Sequence, residues 1–156
     1  MVLAAAVVAV IVVVTRGDAD PPLTTAAPST TLVPLQDWKD QVEQGCREWN
    51  ERYAHLEGAE PGTAEEAVEH TSDVEALARG LVDVIDDAGV PEPDTEDAQL
   101  LVELTDDLAE AAGQLHDAAE SGDGPRVDRA AAQLEQLGEQ LNAVAARLEV
   151  RACGGY

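Results

Sequence analysis

The fold is decided by residues 99–119, which read QLLVELTDDLAEAAGQLHDAA. The apolar residues of this stretch recur in alternating steps of three and four. They are Leu101, Leu104, Leu108, Ala111, Leu115 and Ala118. This spacing places them on one face of an α-helix and leaves the carboxylates on the opposite face. Thr95 has a side chain typical of an N-cap, and Asp97 follows it in the first turn, so we expect the helix to begin near residue 95.

Three further segments carry the same helical pattern. They run from about Gln36 to Leu56, from about Thr63 to Ala88, and onward from Pro125. Their apolar residues are, in turn, Trp38, Val42, Gly45, Cys46, Trp49, Tyr53 and Leu56; Ala67, Val74, Leu77, Leu81, Val84, Ile85 and Ala88; and Val127, Leu134, Leu137, Leu141, Val144 and Leu148. No segment shows the alternation that is typical of a β-strand.

Short connections rich in glycine and proline separate the four segments, at residues 58–62, 89–93 and 121–125. Because short connections make consecutive helices antiparallel, the sequence predicts an all-α fold, an up-down antiparallel four-helix bundle over residues 35–156. The 3/4 spacing favours coiled-coil-like packing within it. The first helix is shorter than the others and carries both Trp38 and Trp49 on one face. We expect these to be core anchors; the alternative is a ligand groove left where helix one ends.

An apolar segment precedes the bundle. Residues 2–14 contain only Val, Ala, Leu and Ile, and the first cation, Arg16, follows them. As a helix this run is roughly 20 Å long, against about 30 Å of hydrocarbon in a bilayer. We expect residues 1–19 to be a membrane anchor or, alternatively, a signal segment cleaved near Ala19. The bundle would then be preceded by an N-terminal apolar helix.

A Pro/Thr-rich linker joins this segment to the bundle. Residues 20–34 read DPPLTTAAPSTTLVP, and their prolines exclude a regular helix. We expect a disordered stalk that holds the bundle away from a membrane surface. The predicted location is the cell membrane, single-pass with the bundle extracytoplasmic, or secretion if the segment is cleaved. Arg16 alone favours the opposite orientation, but the cysteine pair described below argues more strongly for export.

The charge is strongly acidic. The chain has 32 acidic and 9 basic residues, and Arg16, Asp18 and Asp20 precede residue 36, so residues 36–156 carry 30 acidic and 8 basic residues, a net charge of −22. This field repels nucleic acid and anionic lipid and attracts cations and basic partners. We therefore expect no nucleic-acid partner.

The chain contains two cysteines, Cys46 and Cys153. In an exported domain an even pair favours a disulfide, although free thiols and a metal site remain open from the sequence. If helices one and four are antiparallel neighbours, Cys153 must reach the middle of helix one. We therefore expect the first two or three turns of helix one to extend beyond the end of helix four.

Motifs that carry catalysis or metal binding are missing from the sequence. The histidines His55, His70 and His116 do not follow the Glu-x-x-His pattern of di-iron bundles; each has a glutamate four residues away, a spacing typical of exposed helix pairs. Carboxylates crowd one interhelical turn, but without the spacing of a calcium loop. We expect no enzyme activity, cofactor or metal site. The sequence predicts a non-enzymatic interaction module at the cell envelope, with an unknown envelope protein as partner. The alternative is an acidic binding module for divalent cations or a basic ligand.

Overall fold

Four α-helices dominate the structure, a computed structural model that describes residues 32–56 and 61–153. They are α1 (Leu35–Tyr53), α2 (Ala64–Asp87), α3 (Glu96–Glu120) and α4 (Gly124–Leu148). The predicted all-α class and helical bundle are confirmed. The predicted bounds hold to within one or two residues, except that the end of helix one, Ala54–Leu56, is a 3₁₀ turn. The N-terminal apolar segment and most of the linker lie outside the described residues.

The helix starts follow from their capping residues. Thr63 precedes α2 and forms a capping box, in which Glu66 N donates to Thr63 Oγ1 at 3.2 Å and Thr63 N donates to Glu66 Oε2 at 3.0 Å. Thr95 is the N-cap of α3, as predicted, and its Oγ1 accepts from Ala98 N. These bonds satisfy donors that the first helical turn cannot pair internally.

Consecutive helices pack against one another and run antiparallel. The helix α3 lies between α2 and α4 and packs on both, while α1 packs on α2. Thr71 of α2 meets His116 of α3, whereas Arg147 near the end of α4 bonds Asp97 near the start of α3 at 2.9 Å. The core is built from Trp, Leu, Val, Ile and Ala side chains of all four helices, so the amphipathic faces predicted from the sequence point inward.

Two short strands lie at one end of the bundle. The strand β1 (Leu32–Pro34) directly precedes α1, and β2 (Val90–Glu92) connects α2 to α3. They pair in parallel, with Leu32 opposite Val90 and Val33 opposite Pro91. The sequence pattern predicts a linker over residues 32–34 and no strand, so this prediction is wrong for these three residues. A strand of three residues is too short to show the alternation of apolar and polar residues that identifies a β-strand in a sequence. The pairing of β1 with β2 depends instead on where the helices place the two strands.

The chain reverses after α4. Glu149 adopts the left-handed conformation, with φ of 64°, at the helix C-terminus. Val150 follows it, fully buried, and the residues Arg151–Cys153 form a 3₁₀ turn that contacts both α1 and α4. We call Val150–Cys153 the C-terminal strap. The reversal brings Cys153 back along α1, and Lys39, one turn into α1, already pairs with Glu149. The expected overhang of two or three turns was therefore wrong.

Within residues 32–56 and 61–153, no helix combines the length and the apolar character needed to cross a bilayer.

Candidate functional site

The two cysteines form a disulfide that joins the C-terminal strap to the middle of α1. Cys46 and Cys153 are 107 residues apart in sequence, and their Cα atoms are 5.0 Å apart. Cys46 is fully buried and Cys153 is 5% exposed. The predicted disulfide is confirmed, and the free-thiol and metal alternatives do not apply to this pair.

Hydrogen bonds extend the attachment of the strap to α1. Both backbone polar groups of Ala152 are paired with α1. The Ala152 N–H donates to Glu43 Oε2 at 2.8 Å, and the Ala152 carbonyl accepts from Asn50 Nδ2 at 2.7 Å. Glu43, Cys46 and Asn50 are separated by steps of three and four, so they lie on one face of α1. The strap therefore docks on α1 through backbone groups as well as through the covalent bond.

The tryptophans attach α1 to α2 and to the turn that follows α2. Trp38 Nε1 donates to Gly89 O at 3.0 Å, and Trp49 Nε1 donates to Leu77 O at 2.8 Å. Both side chains are buried, as expected for core anchors. Because each buried indole N–H is paired with a backbone carbonyl, each tryptophan adds packing without leaving an unpaired donor.

A groove with a polar lining runs beside α1. It lies between α1 and α2 and has a volume of about 520 Å³. We call it the α1–α2 groove. The residues that line it are Gln41, Gln44, Gly45, Glu48, Trp49 and Arg52 from α1 and Gly80, Asp83, Val84, Asp87 and Ala88 from α2. This groove runs along helix one; the connection that follows the helix, residues 57–60, lies outside the described residues, so the alternative of a groove where helix one ends stays a prediction.

A close approach of the two helices shapes this groove. A Cβ atom built on Gly45 would lie 2.6 Å from Val84 Cγ1, which is closer than real carbon atoms approach. Glycine therefore allows α1 to approach α2 at this point. Glu48 stands on the α1 side of the groove, and Asp83 and Asp87 stand one turn apart on the α2 side; all three are exposed.

His70 and His116, the two histidines whose side chains the structure describes, belong to no group that could hold a metal ion. His116 Nδ1 lies 3.2 Å from Thr71 Oγ1, while that hydroxyl donates to Val68 O at 2.9 Å. A hydroxyl has one proton, so Thr71 accepts from His116, and Nδ1 carries the hydrogen. The Nε2 atom lies 3.7 Å from Glu120 Oε1. This arrangement links α2 to α3. His70 is half-buried on α2, and the side chain of His55 lies outside the described residues.

Among residues 32–56 and 61–153, no group of three or more His, Cys, Asp or Glu side chains is arranged to hold a metal ion. At the turn between α2 and α3, the side chains of Asp87, Glu92 and Asp94 are exposed.

No family model, no curated protein and no solved structure matches this chain. Sequence reasoning found the cysteine pair and the tryptophan face, but it did not find the α1–α2 groove. The signal was present in Gly45 and Gly80, which interrupt two apolar faces, although glycine alone does not show which helices come close together.

Proposed function

We propose that this protein is a non-enzymatic interaction module of the cell envelope, tethered to the membrane by its N-terminal segment or exported. The observation that carries the proposal is the Cys46–Cys153 disulfide, which is buried between α1 and the C-terminal strap. Disulfides persist in oxidising compartments, whereas cytosolic reductants keep most thiols reduced. A structural disulfide therefore supports a bundle that works outside the cytoplasm.

The order of segments supports the same proposal. An apolar run at residues 2–14 and a Pro/Thr-rich linker precede the bundle, and β1 begins where the linker ends. The proposed topology is a single pass with the bundle extracytoplasmic; the alternative is secretion after cleavage near Ala19. The proposed partner is another envelope protein. The net charge of −22 over residues 36–156 argues against nucleic acid.

Intact-mass analysis of the native protein tests this location. The protein is isolated from membrane and soluble fractions and alkylated without prior reduction. We expect membrane association with residues 1–19 retained, or a soluble form that begins near Ala19, and in either case no alkylation. A full-length, alkylated protein in the soluble cytoplasmic fraction would contradict the proposal. Alkylation after reduction provides the control, because it must label both cysteines.

The second candidate is an acidic binding module for divalent cations or a basic ligand. The α1–α2 groove favours the basic-ligand form, because carboxylates stand on both of its sides. Titration with calcium tests the cation form. If divalent cations bind the bundle, its melting temperature rises with their concentration, because binding to the native state stabilises it.

A further inference from the structure

The α1–α2 groove has a volume of about 520 Å³ and carries carboxylates on both of its sides. We propose that it binds an extended cationic segment of a partner polypeptide, whose Lys or Arg side chains lie along its floor. This inference rests on the proposed function as an interaction module and names the surface and the kind of partner. It does not depend on whether the module is tethered or secreted.

The floor of the groove suits the stem of a long cationic side chain. It is made of Gly45, Gly80, Val84, Ala88 and the edge of Trp49, which are small or apolar. Gly80 carries no side chain, and Gly45 lets Val84 pack directly against the α1 backbone, so no long side chain rises from this part of the floor. Lys and Arg place their methylene stems on apolar surface while the charged group stays at a polar edge. An apolar floor between acidic walls is the environment that such a side chain requires.

The walls supply the matching charge. Glu48 on α1 faces the groove from one side, and Asp83 and Asp87 stand on α2 at the other, against the single cation Arg52. Asp83 and Asp87 are one helical turn apart, about 6 Å, and alternate residues of an extended peptide are separated by a similar distance of roughly 7 Å. Two cations at alternate positions of an extended segment can therefore meet both carboxylates.

The acidic surface continues on either side of the groove. A second groove, of about 460 Å³, runs along the outer side of α1 and shares Gln44 and Glu48 with the first. A third, of about 450 Å³, lies between α2 and α3 and shares Asp83. The acidic surface thus spans three helices. A peptide segment that is longer than the α1–α2 groove therefore still lies beside acidic residues on both sides of it.

Charge excludes the other common occupants of such a surface. A second copy of this chain carries the same net charge of −22 over residues 36–156, and anionic lipids and nucleic acid are negative as well. Each is repelled by the groove, whereas a cationic polypeptide is attracted to it and gains in association rate. The partner is therefore a different polypeptide with a basic segment.

Peptide binding to the full chain tests this inference. The probe is a fluorescently labelled peptide of alternating arginine and glycine, with a peptide of alternating glutamine and glycine as the uncharged reference, and anisotropy is the readout. The groove variant is Asp83→Asn with Asp87→Asn. The matched control is Glu135→Gln with Glu139→Gln, which removes the same charge from exposed positions of α4. Glu48→Gln tests the opposite wall.

We expect the arginine peptide to bind and the glutamine peptide not to bind. The groove variant should weaken binding about fivefold or more, the Glu48 variant should weaken it by a smaller factor, and the control should change it by less than about twofold. Circular dichroism should show parental melting for all variants, because these side chains are exposed. Equal weakening in groove and control variants, or no binding of the arginine peptide, would overturn the inference.

Sedimentation of the protein without peptide tests whether a second copy of the chain occupies the groove instead. A dimer that forms without peptide and is lost in the groove variant would assign the groove to a second copy and would also overturn the inference. None of these results depends on where the protein is located. If the peptide-binding experiment fails, the alkylation and intact-mass experiment still tests the envelope location separately.

Discussion

Gly45 of α1 and Val84 of α2 are in such close contact that a Cβ atom on Gly45 would lie 2.6 Å from Val84 Cγ1. Valine is branched at Cβ and has little freedom to rotate away. Replacing Gly45 by alanine should therefore push α1 from α2 and destabilise the fold by about 1–3 kcal/mol, despite alanine's higher helix propensity. Denaturant unfolding followed by circular dichroism measures the change.

Gly138 is the matched control for this substitution. It also lies within a helix, α4, but nothing lies within 4 Å of a Cβ atom built there. Gly138→Ala should stabilise the fold by roughly 0.5–1 kcal/mol, because only the helix propensity changes. Combining Gly45→Ala with Val84→Ala should recover part of the loss. If both glycine variants gain stability, the close contact at Gly45 is not rigid.

The disulfide should contribute a large part of the stability. Its closed loop spans 107 residues, and the chain-entropy model assigns a loop of this length about 4–5 kcal/mol. Replacing both Cys46 and Cys153 by serine should lower the free energy of unfolding by roughly 2–5 kcal/mol. Tryptophan fluorescence during urea unfolding follows α1 directly, since both tryptophans of the chain lie on that helix. A variant that unfolds at the parental midpoint would contradict this expectation.

Val150 should behave as a core residue although it follows the last helix. It is fully buried in the C-terminal strap, whereas Val90 in β2 is 36% exposed. Val150→Ala should cost about 1–2 kcal/mol, because two buried methyl groups are lost and a small cavity remains. Val90→Ala removes the same atoms from an exposed position and should cost less than about 0.5 kcal/mol. Thermal melting of the two variants gives the comparison, and equal losses would show that the strap is not part of the core.

The hydroxyl of Thr71 should contribute more to the free energy of unfolding than the hydroxyl of Thr105, another buried threonine. Both hydroxyls donate to a carbonyl of their own helix, but Thr71 also accepts from His116 across the α2–α3 interface. Thr71→Val leaves the imidazole N–H without its partner and should cost about 1 kcal/mol. Thr105→Val removes only a bond within α3 and should be close to neutral. Chemical denaturation of both variants at neutral pH tests the difference.

Most of the fold could be predicted from periodicity. The spacing of Leu101, Leu104 and Leu108 defines the inward face of α3, and Thr95 marks its start, so a local pattern was sufficient there. The pairing of Cys46 with Cys153 followed from a count of two and the inferred compartment. Local patterns carry this information because helix formation and capping depend on neighbours within one or two turns.

The features that were missed depend on residues distant in sequence. Leu32 pairs with Val90 only because the helices bring both strands to one end of the bundle. The reversal at Glu149 was missed because it places a glutamate in a conformation that favours glycine and asparagine. The α1–α2 groove lies between two helices that meet where Gly45 packs against Val84, and these residues are far apart in sequence. Each of these requires the packed arrangement and not the pattern of one segment.

The disulfide also determines how the bundle carries mechanical load. A force applied through the linker enters at Leu32, passes along β1 and the first half of α1, and reaches Cys46. The covalent bond then transfers the tension directly to Cys153. Residues 47–152, which include α2, α3 and α4, form a closed loop outside this covalent path. Tension applied between Leu32 and Cys153 is therefore carried along the backbone of β1 and the first half of α1, and the backbone of the other three helices lies outside the covalent path.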